Sequence, residues 1–439
     1  MSGEWAVCVD FGTAFSKAAA APIDAWTRFD AARVRPLPLR AGGESPFVIE
    51  SALFLDEDAV LFGARALARA AELSSSKRQA LRSFKTILAA SDLERALEIR
   101  AAGSVDPHRA FQLRDLVVLY LAYLVRATDA AIAADPMLAG AQTRWRYASP
   151  AWQEDRAAAH RVIERMFGEA RVIATSLGGE LAGDALPLQL AAAVLEAARA
   201  DPAAAAWRMD MVFEATAAAA ASAIGETDRD PHVIVIDVGA GSSDIGGLVD
   251  LRDVPEARVT IGKAGDYLDR ILLNLALAAS PWLKTPQQQG QLWQAMSHEV
   301  RDLKESLFAD KRASFRFEDR VITLTLKDFE RDKDFKRFEA DLTKLYTRSL
   351  KTLRDRVRRA GGKRIVAVAV GGGAAAPFVQ KLIRTNPGGG VKADPRPPTP
   401  SWANAPAFAG NLAPVFSQLA VAIGGALAPE AMLSARRSD

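Results

Sequence analysis

The chain has 439 residues, of which 49% are hydrophobic and 25% are charged, and its 56 Lys and Arg nearly balance 53 Asp and Glu. This composition is typical of folded globular proteins and excludes a peptide module, a fibrous protein and a fully disordered chain. Because the net charge is only +3 and no long basic run is present, we expect no nucleic acid partner.

The single cysteine, Cys8, excludes an intramolecular disulfide and any zinc site built on a pair of cysteines. A lone thiol and an N-terminus without a basic segment or a long apolar run favour a cytoplasmic protein. The most apolar helical stretch, Leu116 to Val125, has about half the length that spans a bilayer. We therefore predict a buried helix there and no membrane partner.

Short apolar runs predict the buried strands, and three of these runs end at a glycine turn. Residues 209–213 predict one further strand. The three runs are residues 5–9 before Asp10-Phe11-Gly12, residues 233–236 before Asp237-Val238-Gly239, and residues 365–370 before Gly371-Gly372-Gly373.

Apolar residues at helical spacing separate these strands, so strands and helices alternate as in an α/β fold. The predicted long helices cover residues 112–134, 153–168, 188–224, 266–279, 291–308 and 335–360, and a last helix covers 418–427.

Three segments interrupt this alternation. Residues 41–111 combine short strands with charged, Ala-rich helices, and residues 263–337 end in two segments that predict paired strands, 314–317 and 321–326. We interpret both as inserted subdomains. Residues 385–414 are rich in Pro and Gly without apolar periodicity, and they predict a long loop.

Two of the glycine turns have the composition of phosphate-binding loops, in which backbone amides and hydroxyls contact phosphate oxygens and an Asp holds magnesium through water. Facing each other, they would form a clamp. The first offers Gly12, Thr13, Ala14 and Lys17 after Asp10, and the second offers Gly239, Gly241, Ser242 and Ser243 after Asp237.

In their order along the chain, these motifs resemble the actin, sugar-kinase and heat-shock-chaperone ATPase superfamily, and most of all the ATPase domain of DnaK-type chaperones. The first phosphate motif is VCVDFGTAFSK, the second is VIVIDVGAGSSDIGGL, and the adenosine motif is VAVGGGAAAPFVQKLI. Weaker likenesses are FEATAAAAASAIG, SHEVRDLKESLFADKRASFRFE and AVAIGGALA.

The resemblance implies a two-lobed actin-like ATPase fold with duplicated ribonuclease-H-like sheets. Lobe I covers residues 1–230, with a core of 1–40 and 112–230 and the insertion 41–111. Lobe II covers 231–439, with a core of 231–262 and 338–439 and the insertion 263–337. Only eleven residues follow Ala428, so we expect no separate substrate-binding domain.

The resemblance also implies roles for single residues. Lys85 reaches the γ-phosphate, Glu214 lies near the attacking water, and Asp10 and Asp237 hold magnesium through water. Without the resemblance, Lys85 would be read as part of a solvated helix face and Glu214 as a helix cap. The residues expected to bind ATP or ADP are Gly12, Thr13, Ala14, Lys17, Gly239, Ala240, Gly241, Ser242, Asp244, Lys304, Gly371, Gly372 and Gly373.

The implied function is a chaperone-like protein that binds ATP, hydrolyses it slowly and acts as a nucleotide-dependent switch, with a protein partner or client on its lobes. Two alternatives stay open. Lys17 is typical of the actin branch and favours a polymerising protein. Compared with the chaperones, Ala14 stands in place of a residue with a hydroxyl group. Ala375 stands in place of an Arg that stacks on adenine, and Gln418 stands in place of an acidic residue. These departures favour a scaffold without turnover and leave adenine specificity open.

Overall fold

The structure, a computed structural model, describes residues 3–40, 45–73, 78–151, 157–224, 231–297, 299–404, 412 and 415–433. Two six-stranded sheets organise it, and each is built around a buried strand that ends at a phosphate-type turn.

The first sheet has the strand order β10-β8-β1-β2-β3, with β4 also paired to β2. β1 is antiparallel to β2, whereas β1, β8 and β10 run parallel. All of β1 is buried, as expected for an apolar run covered on both faces. The strands are β1 (Trp5–Phe11), β2 (Phe15–Pro22), β3 (Arg35–Pro36), β4 (Ile49–Glu50), β8 (Thr143–Ser149) and β10 (Asp210–Phe213).

The second sheet repeats this topology in the order β13-β12-β11-β17-β18, with β14 also paired to β12. Again an antiparallel hairpin is followed by parallel strands on the other side of its first strand. The repeat confirms the predicted two-lobed actin-like α/β fold. The strands are β11 (Val233–Val238), β12 (Ser243–Val249), β13 (Arg252–Asp253), β14 (Val259–Ile261), β17 (Arg364–Val370) and β18 (Lys392–Arg396).

The first insertion carries a four-stranded sheet in the order β7-β5-β6-β9. One of its strands, β9, comes from residues beyond the predicted insertion and pairs with the edge of β6. The elements are β5 (Ala52–Leu55), β6 (Ala59–Phe62), β7 (Leu81–Arg82), β9 (Ala185–Pro187), α1 (Gly63–Glu72), α2 (Phe84–Leu88) and α3 (Leu93–Glu98).

The second insertion contains the predicted strand pair, β15 with β16. The helix predicted over 291–308 is instead two helices, because the backbone at Glu299 (φ −112°, ψ 0°) leaves the helical conformation. The elements are α9 (Gly265–Ala278), α10 (Pro286–Ser297), α11 (Val300–Asp310), β15 (Arg312–Phe317), β16 (Arg320–Thr325) and α12 (Leu326–Arg331).

The remaining helices pack on the two central sheets. The predicted helix over 188–224 is three helices, with β10 between the second and the third, and the first residues of the helix predicted over 153–168 lie outside the described residues. The helices are α4 (Leu113–Ala134), α5 (Ala157–Leu177), α6 (Leu188–Ala200), α7 (Pro202–Ala206), α8 (Glu214–Ala223), α13 (Lys333–Arg359), α14 (Pro377–Leu382) and α15 (Phe416–Leu427).

α4 is longer than its most apolar stretch suggests. By its length of 22 residues and its composition it could cross a membrane, but 67% of its most apolar window is buried inside the protein. Residues 116–125 are all buried, and α4 packs on α5. α4 therefore occupies the position of a core helix, as predicted.

The segment predicted as a long loop, residues 385–414, contains the edge strand β18, so that prediction is wrong in part. β18 pairs parallel with β17 but buries none of its residues completely, which explains why its sequence has no apolar pattern. Its Pro395 is tolerated because an edge strand has amides that need no partner. Residues 405–411, 413 and 414 lie outside the described residues.

α8 and α15 pack against each other between the two sheets and connect the lobes. Gly424 makes this close approach possible, since a Cβ there would lie 1.7 Å from the carbonyl oxygen of Ala217. Although α15 follows the predicted lobe boundary at residue 230, it also contacts β1 and β2 of the first sheet. Glu214 at the start of α8 and Ser417 and Gln418 in the first turn of α15 line the cleft between the lobes.

Candidate functional site

A cavity of about 480 Å³ lies between the lobes, a size typical of small-molecule sites. Every residue that the resemblance assigns to catalysis, nucleotide or magnesium lines this cavity. They are Asp10, Gly12, Thr13, Ala14, Lys17, Lys85, Glu214, Asp237, Gly239, Ala240, Gly241, Ser242, Asp244, Lys304, Gly371, Gly372 and Gly373. The structure thus brings them together, while their roles stay predictions.

The two phosphate-type turns face each other across the cleft. A Cβ at Gly241 would lie only 2.6 Å from Thr13 Oγ1, so the β11–β12 turn of one lobe touches the β1–β2 turn of the other. Ser242 and Ala14 line the cavity beside this contact. A phosphate chain placed here would contact both lobes at once.

Lys85 enters the site from α2, in the first insertion, and is buried. Its ammonium donates to Glu214 Oε1 and lies 3.4 Å from Asp10 Oδ1. Burial alone lowers the pKa of a lysine, but the charges of Glu214 and Asp10 outweigh burial and raise the pKa of Lys85. Lys85 is therefore a protonated cation at this end of the cavity, and not part of a solvated helix face.

Glu214 is the first residue of α8, and its side chain hydrogen bonds to Lys85. Burial raises the pKa of Glu214 to about 8, Asp244, Asp10 and Asp237 raise it as well, and Lys85 acts in the opposite direction. Such a shift is typical of residues that exchange protons near neutral pH.

The three aspartates differ in their surroundings. Asp10 accepts a 2.8 Å hydrogen bond from Lys17; burial would raise its pKa, but Lys17 and Lys85 outweigh burial and lower it. The pKa of Asp237 rises to about 7 through burial and the neighbouring Asp244 and Asp10. Asp244 accepts hydrogen bonds from Ser242 and Thr260, so it orients a hydroxyl of the second turn.

These side chains fit a magnesium ion that keeps most of its water. Among the described residues, no three His, Cys, Asp or Glu are close enough together to hold a metal directly. Magnesium needs only one or two carboxylates besides water and phosphate oxygens. Four buried carboxyl groups line this cavity, and among the described residues the cations paired with them are Lys17 and Lys85. A divalent cation near Asp10 and Asp237 would offset the excess of negative charge.

The opposite end of the cavity is formed by α11, where the sequence identified only Lys304. That lysine is engaged by Asp269 and the carbonyl of Gly265. Four further residues of α11 line the cavity, namely Arg301, Glu305, Phe308 and Ala309. Arg301 lies three residues before Lys304 and Phe308 lies four residues after it, so helical spacing from Lys304 would have identified these two.

This end is apolar enough to hold a flat base. Phe308 is kept in place by edge-to-face contacts with Phe329 and Phe378, at ring-centroid distances of 5.7 and 6.2 Å. Leu268, Ala309, Ala375, Ala376, Gln418 and Val421 also line the cavity. Phe308 thus adds an aromatic side chain to a lining in which Ala375 supplies none.

Replacing Phe308 by Ala should weaken ATP binding about tenfold or more, because stacking of a base on an aromatic ring contributes about 1–3 kcal/mol. Titration of the protein with ATP and with inorganic tripolyphosphate checks this expectation. The affinity for tripolyphosphate should not change, since the phosphate end lies elsewhere in the cavity. Phe317→Ala, on β15, is the matched control, and equal loss of ATP affinity in both variants would contradict the stacking role.

No protein-family profile matches the chain. A stretch of 57 residues, 13% of the chain, is 42% identical to the actin-like protein MamK of Magnetospirillum gryphiswaldense and covers 16% of that protein. The match thus spans about a sixth of the length of this relative. Together with the two-lobed fold it supports the actin-like ATPase superfamily, and it gives no support to the finer likeness to DnaK-type chaperones.

Proposed function

We propose that the chain binds ATP with magnesium in the cleft, hydrolyses it slowly, and changes the arrangement of its lobes with the state of the nucleotide. The observation that carries this proposal is the meeting of Lys85, Glu214 and Asp10 beside the two facing turns. These groups come from the first insertion, from α8 and from β1, and their position beside the two turns supports a γ-phosphate site there.

The chemistry of this cluster suits phosphoryl transfer to water. Such a reaction needs positioned groups and neutralised charge, and no covalent nucleophile. Lys85 supplies a buried positive charge, and Glu214, once ionised, accepts a hydrogen bond from water and orients it. Magnesium, held near Asp10 and Asp237, would neutralise negative charge on the phosphate.

The switch follows from the way in which the site is divided between the lobes. Thr13 and Gly241 belong to different lobes, and a bound phosphate chain would hold the two turns together. Loss of the γ-phosphate would remove one such link and favour reopening about the packed pair α8 and α15. A protein partner that recognises one lobe arrangement would then sense the nucleotide.

A second candidate is an actin-like protein that polymerises, and the match to MamK favours it. Sedimentation with ATP, with ADP and without nucleotide separates the two functions. ATP-dependent pelleting would indicate polymers, whereas turnover without pelleting would indicate a switch that works as a single chain.

Magnesium-dependent ATP binding is the direct test of the site. We expect wild type to bind ATP at least tenfold more tightly with magnesium than with a chelator, and Asp237→Asn to lose most of this difference, because it removes one of two carboxylates near the ion. Calorimetric titration measures both affinities.

The control is Asp250→Asn, an exposed position at the far end of β12 from the site, which should behave as wild type. No ATP binding by the wild type would overturn the proposed function and leave a scaffold without nucleotide. Binding without turnover would favour the scaffold that holds a nucleotide.

A further inference from the structure

The positive charge of the chain is concentrated in one segment of lobe II. Residues 344–396 contain 13 Lys and Arg and only 2 acidic residues, a net charge of +11, while the other residues together carry −8. The overall value of +3 therefore hides a strong asymmetry. Such segregation points to a negatively charged partner.

One open groove, with a volume of about 940 Å³, is lined by five cations and by two acids, Glu339 and Asp355. Besides Lys336, the cations are Lys344, Arg348 and Lys351 of α13, which lie at helical spacing on one exposed face, and Lys381 of α14. The last four belong to the charged segment. None of these four side chains forms a salt bridge with a described residue. We call these four residues the basic face.

The groove carries hydrogen-bond donors but no anchor for a protein interface. Thr343, Thr347 and Thr352 line it beside the basic face, and threonine hydroxyls commonly contact phosphate oxygens. Protein interfaces instead depend on buried aromatic or apolar anchors. Among the described residues, the exposed large hydrophobic side chains are Ile99, Met137 and Val321, and none of them belongs to α13 or α14.

The same features favour a duplex over other polyanions. A groove is concave, whereas a membrane surface is flat, and the one apolar residue among the described residues that line the groove, Ala340, is too small to insert into lipid. It also lacks the aromatic side chains on which single-stranded bases stack. The phosphate backbone of a duplex needs only the charges and hydroxyls that are present.

We propose that the basic face binds the phosphate backbone of double-stranded nucleic acid without reading its sequence. The interaction is independent of the proposed function in the cleft. It reverses the expectation drawn from the net charge, because charge summed over the chain does not show where it lies. Affinity would come from release of counterions and would depend steeply on salt.

The test uses the full chain and a labelled 30-base-pair DNA of mixed sequence, with fluorescence anisotropy between 50 and 200 mM NaCl. Wild type should bind at 50 mM NaCl and lose at least tenfold in affinity at 200 mM. The variant Lys344→Glu with Arg348→Glu and Lys351→Glu should bind at least tenfold more weakly. Its slope of log affinity against log salt should be about 3 units smaller.

The matched control reverses three exposed charges in the second insertion, Lys284→Glu with Arg312→Glu and Arg316→Glu, and should bind DNA as wild type. ATP binding of both triple variants reports that they are folded. Absence of binding at 50 mM NaCl would overturn the proposal. So would equal loss in the control, tighter binding to a single strand of the same length, or binding to phosphatidylserine vesicles but not to duplex.

Discussion

Replacing Lys85 by Ala should lower the rate of ATP turnover at least about a hundredfold, the effect typical of removing one group that stabilises transition-state charge. Affinity for ATP should change much less, because the two turns, the magnesium carboxylates and the base end of the cavity remain. Single-turnover hydrolysis with saturating protein measures the chemical step directly, and titration with ATP measures the affinity.

The variant also tests whether Lys85 acts on the phosphate or only on the fold. Lys85 lies among Asp10, Glu214 and further buried carboxyl groups, so its loss leaves negative charge without compensation and can destabilise the protein. Lys85→Gln keeps hydrogen-bond donors for the carboxylates. It therefore replaces Lys85→Ala in the experiment if that variant does not fold. Both should lack turnover while thermal unfolding shows a folded state.

Arg95→Ala is the matched control, since Arg95 is an exposed cation on α3 of the same insertion. It should retain wild-type turnover. Hydrolysis at the wild-type rate in a folded Lys85→Ala variant would exclude Lys85 from the reaction. Its role would then be to form ion pairs that join the insertion to the core of lobe I.

The sequence predicts those parts of the site that depend on local pattern. A β-branched apolar run followed by Asp and Gly favours a buried strand and a tight turn, so the local pattern alone identifies Asp10 and Asp237. The helix α13 and the strand pair β15 and β16 were predicted for the same reason, because their periodicity is long and regular.

Other parts depend on contacts between distant segments. Lys85 lies in a basic stretch that reads as a solvated surface, and only the docking of α2 on Asp10 and Glu214 buries it. The edge strand β18 has no apolar pattern because it packs on one neighbour. Phe308 combines both cases. Its spacing of four residues from Lys304 can be read from the sequence, but only the structure shows that it lines the cavity.

The rate of ATP hydrolysis should increase with pH up to about 8, and this dependence should come from Glu214. Burial raises the pKa of this carboxyl to about 8. Below that pH it carries a proton, so it is a weaker hydrogen-bond acceptor for the attacking water and cannot take a proton from it. We expect kcat/KM to rise about tenfold per unit between pH 6 and 7.5 and to level off above the pKa.

At saturating magnesium, which keeps Asp237 ionised, Glu214→Gln should have a rate at least about a hundredfold lower and independent of pH over this range, because the amide keeps the size of the side chain but does not ionise. Glu57→Gln, at an exposed position of the first insertion, is the matched control and should reproduce the wild-type profile. Asp237, whose pKa is raised to about 7, also titrates in this range.

Varying the magnesium concentration shows whether the pH dependence of the rate arises from Glu214 or from Asp237. A pH dependence that arises from Asp237 should shift to lower pH as magnesium rises, because the cation favours the ionised carboxyl. A dependence that arises from Glu214 should persist at saturating magnesium and disappear in Glu214→Gln. If the wild-type profile is flat from pH 6 to 9, Glu214 is ionised throughout and Lys85, not burial, determines its charge.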